Sequence, residues 1–353
     1  MAPAKGELSG NSIRMDRCGT QLALFCLAWP ANMSVRYLDQ FASVGPKERH
    51  LNYDESKHMA HIRKAVFPVA GMGTRFLPAT KSIPKEMLTL VDRPLIQYAV
   101  DEARDAGIEE FIFVSAAGKG ALEDYFDTAA ALETRLQTSG KTDALAAIEC
   151  TRMAEGALTI LRQSQPLGLG HAVRQAKKLI GNEAFAVILP DDVIKAETGA
   201  LSQMVEAHRD LGGHMVAAMD VPRSDISKYG VLDVASEQGR VSKALGLVEK
   251  PRADLAPSTK AVIGRYILDR AIFEQLDNLR PGAGGELQLT DAINADVLTV
   301  GVNGFTFDGK RYDCGSVQGY VQATTAFALD RGDLQDEYSN FLSETRRPLR
   351  LVA

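Results

Sequence analysis

From Ile62 onward, short apolar runs alternate with amphipathic stretches, and this alternation limits the fold more than any other feature of the chain. Lys64–Val69, Phe111–Ser115, Leu158–Arg162, Phe185–Leu189 and His214–Asp220 read as strands. Between them, Leu95–Ala106, Gly118–Phe126 (extending toward Leu136), Gly170–Ile180 and Thr198–Asp210 read as helices. This order predicts an α/β fold: a Rossmann-like mixed, mainly parallel sheet flanked by helices. Ligands of such sheets bind beyond the carboxyl ends of the strands.

After Asp220 the pattern turns strand-like, with Val231–Val234, Val241–Val248 and Val262–Leu268 as strands and a turn at Glu237–Gly239. Arg270–Asp277, Glu286–Val297 and Val317–Arg331 read as later helices, and Pro281–Gly285 as a flexible loop. Residues 1–60 show no clear periodicity, and the tail from Gly332 onward is charged and reads as marginal.

Two strand ends carry chemistry. The first strand runs into a turn holding Gly71, Gly73 and Thr74, followed by Arg75, Lys81 and Lys85. Glycines let backbone N–H groups approach a phosphate, and the cations neutralise it. A nucleoside triphosphate is the natural occupant. The spacing is not that of a P-loop, and Phe76 stands where a dinucleotide fingerprint needs its third glycine. An ordinary strand-to-helix turn is the plainer alternative. At the second strand end, Asp191 and Asp192 follow Leu189-Pro190. Adjacent carboxylates there need solvent or cations, and Mg²⁺ takes a few carboxylates plus phosphate oxygens and water. A helix N-cap is the plainer reading of this pair. The two motifs are expected to converge on one cleft.

Composition excludes several classes. A net charge of −5 over 353 residues leaves no electrostatic footprint for nucleic acid. The four cysteines (Cys18, Cys26, Cys150 and Cys314) have neither zinc spacing nor a disulfide pattern, which fits a reducing cytosol. No stretch is long enough to span a bilayer. Leu22–Trp29 imitates a signal-peptide core behind Arg14 and Arg17, but no small-x-small site follows, so a cytoplasmic protein is expected.

The glycine-turn wording continues through Val91–Tyr98, Gln165–Val173, Leu189–Asp192, Lys228–Val231, Val248–Pro251, Gly285–Ala292 and Arg311–Gly315. In this order, from Ile62 to about Asp330, the chain resembles the sugar-1-phosphate nucleotidyltransferases, and within them the bacterial UTP–glucose-1-phosphate uridylyltransferases. Thr89 and Arg93 depart from the family wording, at positions with no proposed contact. The resemblance implies an N-terminal extension over 1–60, a catalytic domain over 61–332 with a smaller sugar-binding β region and C-terminal helices, and a tail over 333–353. Family members begin near Met59, so residues 1–58 read as dispensable.

The resemblance also implies Mg²⁺-dependent uridylyl transfer from UTP to α-D-glucose 1-phosphate, by a homo-oligomer. A thymidylyltransferase, or a non-catalytic regulatory relative, is the alternative. Roles carry over residue by residue. Gly71, Gly73, Thr74, Arg75 and Lys85 are expected to hold the triphosphate, with Lys81 a further candidate. Asp191 and Asp313 are expected at the metal, with Asp192 a weaker candidate. Ala70, Gln163 and Gly168 are expected at the base, and Glu86 at the base or ribose unless it only starts a helix. Gly230, Glu249 and Lys250 are expected at the sugar phosphate, although a Glu-Lys pair is usually a surface ion pair. His171 reads as a helix start rather than a catalytic base.

Overall fold

The computed structural model describes residues 61–282 and 285–345. The extension expected over residues 1–60, residues 283–284 of the loop and the tail beyond residue 345 lie outside the described residues. In chain order the strands begin with β1 (Lys64–Pro68), β2 (Thr89–Leu90), β3 (Arg93–Pro94), β4 (Glu110–Ser115) and β5 (Leu158–Arg162). They continue with β6 (Phe185–Ile188), β7 (Asp192–Lys195), β8 (His214–Asp220) and β9 (Gly230–Gln238). The last four are β10 (Val241–Glu249), β11 (Lys260–Leu268), β12 (Val302–Thr306) and β13 (Lys310–Asp313).

Nine of these form one sheet in the order β5-β4-β1-β6-β11-β8-β12-β10-β9. The half from β5 to β6 is parallel throughout. β11 then runs antiparallel to both β6 and β8, so the sheet is mixed. Both faces are buried, which explains the near-continuous apolar runs. Alternate residues serve opposite faces. Ala65, Phe67, Phe111, Phe113, Ala186 and Ile188 pack with the helices Leu95–Asp105 and Ala200–Leu211. Val66, Ile112, Val114, Phe185 and Val187 pack on the other face with Leu169–Gln175 and Leu289–Ala295. Fully burying one such large side chain contributes about 1.5–3 kcal/mol.

Three features depart from the sequence reading. The single long helix expected from Gly118 toward Leu136 is divided into Gly120–Phe126 and Ala130–Thr138, with Thr142–Glu149 following. Gln335–Thr345 is helical where a marginal tail was expected, and it stacks Tyr338 on Phe341. Strands β7, β12 and β13 also go beyond the reading. β7 and β13 are four residues each, and Asn303-Gly304 breaks the apolar pattern of β12, so none shows a clear period. Among the described residues, no helix is long and apolar enough to cross a membrane.

Two buried histidines couple the fold to pH on the acid side. The fully buried His214 accepts the Asp269 N–H at Nδ1 (3.1 Å), so Nε2 carries the proton donated to Asp296 (3.1 Å). Burial pushes both His208 and His214 below the ordinary histidine value of 6.5. On acidification the unfolded chain therefore takes up protons first, and stability is complete only above about pH 6.5. The melting temperature is expected to be level above about pH 7 and to fall from about pH 6.5 downward. A profile that stays level down to about pH 5 would refute this coupling.

Candidate active site

β1 ends in the glycine turn, and Val69 extends its pairing by donating to the Val114 carbonyl (2.9 Å). Gly73 has φ 64°, a left-handed conformation that favours glycine. A Cβ there would also fall 3.0 Å from Lys85 Cβ and 3.2 Å from Thr80 Cγ2. A Cβ on Gly71 would lie 3.5 Å from Lys85 Cε. The two glycines thus let the backbone lie directly against Lys85. Thr80 fastens the turn by donating to the Gly73 carbonyl (2.7 Å).

Lys85 reaches from beneath this turn to Asp191, Nζ to Oδ2, at 2.6 Å. Burial pushes the Lys85 ammonium down, but the Asp191 and Glu86 carboxylates together outweigh it and the pKa is raised. Burial likewise pushes Asp191 up, and Lys85 brings it net below the usual carboxylate value. Arg75 Nη1 donates to the Gly315 carbonyl (3.2 Å). Gly315 marks the point where these groups meet. A Cβ on it would lie 2.8 Å from Asp191 Oδ2, 3.1 Å from Asp313 Oδ1 and 3.4 Å from Arg75 Nη1. Lys81 is exposed, and the bonds of Arg75 and Lys85 do not include it.

The convergence of Asp191 and Asp313 follows from a short ribbon. β7 pairs antiparallel with β13, with Asp313 opposite Asp192, and the Cys314 N–H donates to the Asp191 carbonyl (2.7 Å). The Leu189–Asp192 turn therefore leads into a strand, not the helix an N-cap would need. The adjacent aspartates have separate environments. Asp192 accepts from the Gly264 N–H (2.7 Å) and from Arg311 Nε (2.6 Å). Burial pushes its carboxyl up despite Arg311. Thus Asp192, the weaker metal candidate, is committed to Arg311 and the backbone. Arg311 Nη2 stands 4.0 Å from Asp313 Oδ1, beyond a hydrogen bond, and the Asp313 side chain is 40% exposed against 10% for Asp192. Burial pushes the intervening Cys314 thiol up to about 12, so it is unreactive.

Asp191 and Asp313 flank a space that one methyl group would fill. Among the described residues no cluster of three or more His, Cys, Asp or Glu could hold a metal by itself. Two carboxylates beside the cations Arg75 and Lys85 fit Mg²⁺, which keeps water and phosphate oxygens as ligands. They do not fit a closed zinc site.

A second group lies at the ends of β1, β4 and β5. The backbone N–H of Gln163 donates to the Ser115 carbonyl (2.7 Å). Its amide Nε2 donates to the Gly168 carbonyl (3.2 Å) and sits 2.8 Å from His171 Nδ1. Burial, then Arg174, lowers the His171 pKa and favours the neutral ring, whose Nδ1 faces the Gln163 amide and whose Nε2 faces the Gln175 amide (3.0 Å). His171 therefore orients Gln163. Gly168 has φ 94°, and a Cβ on it would fall 2.7 Å from Glu286 Cβ. Half-buried Ala70 leads into the glycine turn beside this group.

Glu86 is 1% exposed, and its Oε2 pairs with Lys119 Nζ at 2.8 Å, so it does more than start a helix. Lys119 also donates to the Val69 carbonyl, while Glu86 Oε1 is buried without a hydrogen-bond partner. Burial pushes Glu86 up and Lys119 down. Lys119 escaped sequence reasoning; its only signal was Gly118-Lys-Gly120 at the end of a strand.

The third group lines a cleft of about 490 Å³ that includes Arg75, Gly230, Glu249, Lys250, Arg311 and Asp313. The β9–β10 register places Gly230 opposite Glu249. A Cβ on Gly230 would lie 3.1 Å from Thr290 Oγ1 and 3.2 Å from Glu249 Oε2, so glycine keeps this wall open. Lys250 has φ 45°, a strained conformation for a residue with a side chain, and its N–H donates to the Tyr229 carbonyl (3.0 Å). Its Nζ stands 3.1 Å from Glu249 Oε1, with the lysine side chain 57% exposed. Such a pair adds little stability. Arg75 and Asp313 border both this cleft and the Asp191 cluster, so the two are continuous.

Comparisons with known proteins identify the family. Residues 64–329 match the sequence model of the family described as nucleotidyl transferase. A UTP–glucose-1-phosphate uridylyltransferase of Komagataeibacter xylinus is 50% identical over 255 residues, covering 72% of this chain and 90% of its own. A UDP-glucose pyrophosphorylase solved with UDP-glucose superposes with TM-score 0.70 at 44% identity, over 76% of this chain and 100% of that one. A UTP-bound enzyme of the same kind from Acinetobacter baumannii gives 0.74 at 42% identity, over 80% and 99%. The chain belongs to the nucleotidyl transferase family, among the UTP–glucose-1-phosphate uridylyltransferases.

Proposed function

We propose that this chain transfers uridylyl groups, converting UTP and α-D-glucose 1-phosphate to UDP-glucose and pyrophosphate with Mg²⁺. The observation that carries this reading is a cleft lined by Arg75, Asp313, Glu249 and Lys250, with the Lys85–Asp191 pair adjoining it at Arg75 and Asp313. A sugar-phosphate oxygen attacks the α-phosphorus of UTP, forming a new P–O bond. The α–β bridging P–O bond breaks, and its electron pair leaves on pyrophosphate. No covalent enzyme intermediate and no general base are required. The work lies in holding two polyanions in line.

The backbone of Gly71, Gly73 and Thr74, with Arg75 and Lys85, holds the triphosphate. Gln163, with Gly168 and Ala70, holds the base, and Glu86 lies beside the base and ribose. Gly230 and Glu249 meet the sugar hydroxyls, while Lys250 holds the sugar's phosphate. Asp191 and Asp313 would hold a divalent cation, which would supply neutralisation of the charge on the α-phosphate and the departing pyrophosphate. Assembly into a cytoplasmic homo-oligomer belongs to this reading; exposed Val317, Val321 and Phe341 on the last two helices offer apolar surface for it. Light scattering at the mass of one chain would remove the assembly.

Pyrophosphate release across a grid of nucleoside triphosphates and sugar 1-phosphates tests the function. UTP with glucose 1-phosphate is expected to give the highest kcat/KM, and a higher value for dTTP would overturn the assignment. Lys250→Ala is expected to raise KM for glucose 1-phosphate about tenfold or more, from a lost charge-assisted hydrogen bond. KM for UTP is expected to stay put. Equal effects on the two substrates would remove Lys250 from the sugar phosphate.

A further inference from the structure

We infer that Arg265 is the positioning residue that fixes Asp191 for cation binding, acting through the Leu189–Asp192 turn and anchored by Glu102. The inference rests on the assignment of Asp191 above. Arg265 lies in β11 beside Ile188 of β6 and is only 1% exposed. Its Nε and Nη2 donate to the two Glu102 oxygens at 3.0 and 2.8 Å. Nη1 donates to the carbonyls of Leu189 (3.1 Å) and Gly264 (2.9 Å), and Nη2 to the carbonyl of Asp192 (2.8 Å). All five donors of the guanidinium are thus engaged.

Two of the three carbonyls flank Pro190-Asp191. The guanidinium is planar and permanently charged, so it fixes both carbonyls relative to each other and to Glu102. Glu102 is itself held, because its Oε1 also accepts the Leu201 N–H (3.0 Å) at the start of helix Ala200–Leu211. Arg311 and the Gly264 N–H secure the Asp192 side chain in the same turn. The backbone on either side of Asp191 is therefore pinned, while its carboxylate meets the cleft through Lys85. A buried ion pair is seldom a net source of stability compared with apolar residues of similar volume. An apolar pair could fill this space, but it could not hold the two carbonyls.

The test separates positioning from folding. Arg265→Met combined with Glu102→Leu removes both buried charges together, and Arg265→Lys keeps a charge for Glu102 but loses the planar fork. Mn²⁺ binding in the presence of UTP is followed by water-proton relaxation, alongside thermal melting and KM for glucose 1-phosphate. Folded variants are expected to bind Mn²⁺ about 10- to 100-fold more weakly, the usual effect of removing a group behind a metal ligand. KM for glucose 1-phosphate is expected to be unchanged. Wild-type Mn²⁺ affinity in either folded variant overturns the inference, and Arg265→Lys decides it if the double variant does not fold. Asp191→Ala is the parallel arm. If it too binds Mn²⁺ normally, the assignment of Asp191 has failed; if it alone loses binding, only the role of Arg265 has failed.

Discussion

Asp191→Ala is expected to abolish turnover at saturating Mg²⁺ while leaving the chain folded. The Asp191 side chain bonds Lys85 in the cleft, whereas the contact that joins the two site loops uses its backbone carbonyl, which alanine keeps. The Lys85 and Asp191 side chains are 21% and 25% exposed, so the released ammonium can turn toward the cleft and the cost to stability is about 1–3 kcal/mol. The chemical loss is larger. A metal-centred charge lowers the barrier by several kcal/mol. At about 1.4 kcal/mol per factor of ten, the expected loss is on the order of a thousandfold in kcat. Asp191→Asn keeps the shape without the charge and should lose nearly as much. Single-turnover rates read beside melting temperatures check both variants. A folded Asp191→Ala enzyme within about tenfold of wild type would displace Asp191 from the metal.

The parallel half of this fold was legible because burial on both sheet faces leaves unbroken apolar runs, as at Lys64–Pro68 and Phe185–Ile188. The glycine turn was legible for a local reason, since Gly73 needs its left-handed backbone and its closeness to Lys85. What escaped depends on contacts between distant segments. Nothing near Asp192 in the chain shows that Arg311 will take its carboxylate, 119 residues away. Arg265 interrupts an apolar strand, and its partner Glu102 is 163 residues distant on an ordinary amphipathic helix. The β7–β13 ribbon is short and polar, yet its register brings Asp313 to Asp191. Motif wording marked the candidate site residues and included Arg311, though not its partner; buried Arg265 had no local signature.

Gly315→Ala is expected to be nearly as damaging as loss of a carboxylate, although it adds only one methyl group. Gly315 does not require a left-handed backbone, so alanine is conformationally tolerated and the chain should fold. The methyl carbon would fall 2.8 Å from Asp191 Oδ2 and 3.1 Å from Asp313 Oδ1, too close for either oxygen to stay in place. Both oxygens are ends of flexible side chains, so they yield and the backbone stays. They yield in the one direction that matters, away from the space they share. Displacement of reacting or coordinating groups by ~1 Å can cost about a hundredfold in rate, and here two ligands move at once. The loss should appear as a raised Mg²⁺ requirement together with reduced kcat, while the dissociation constant for glucose 1-phosphate, whose predicted contacts lie at Glu249 and Lys250, changes little. Titrating Mg²⁺ at saturating UTP and measuring sugar-phosphate affinity separately checks this pattern. If Gly315→Ala needs no more Mg²⁺ than wild type, the space between Asp191 and Asp313 is not where the cation sits.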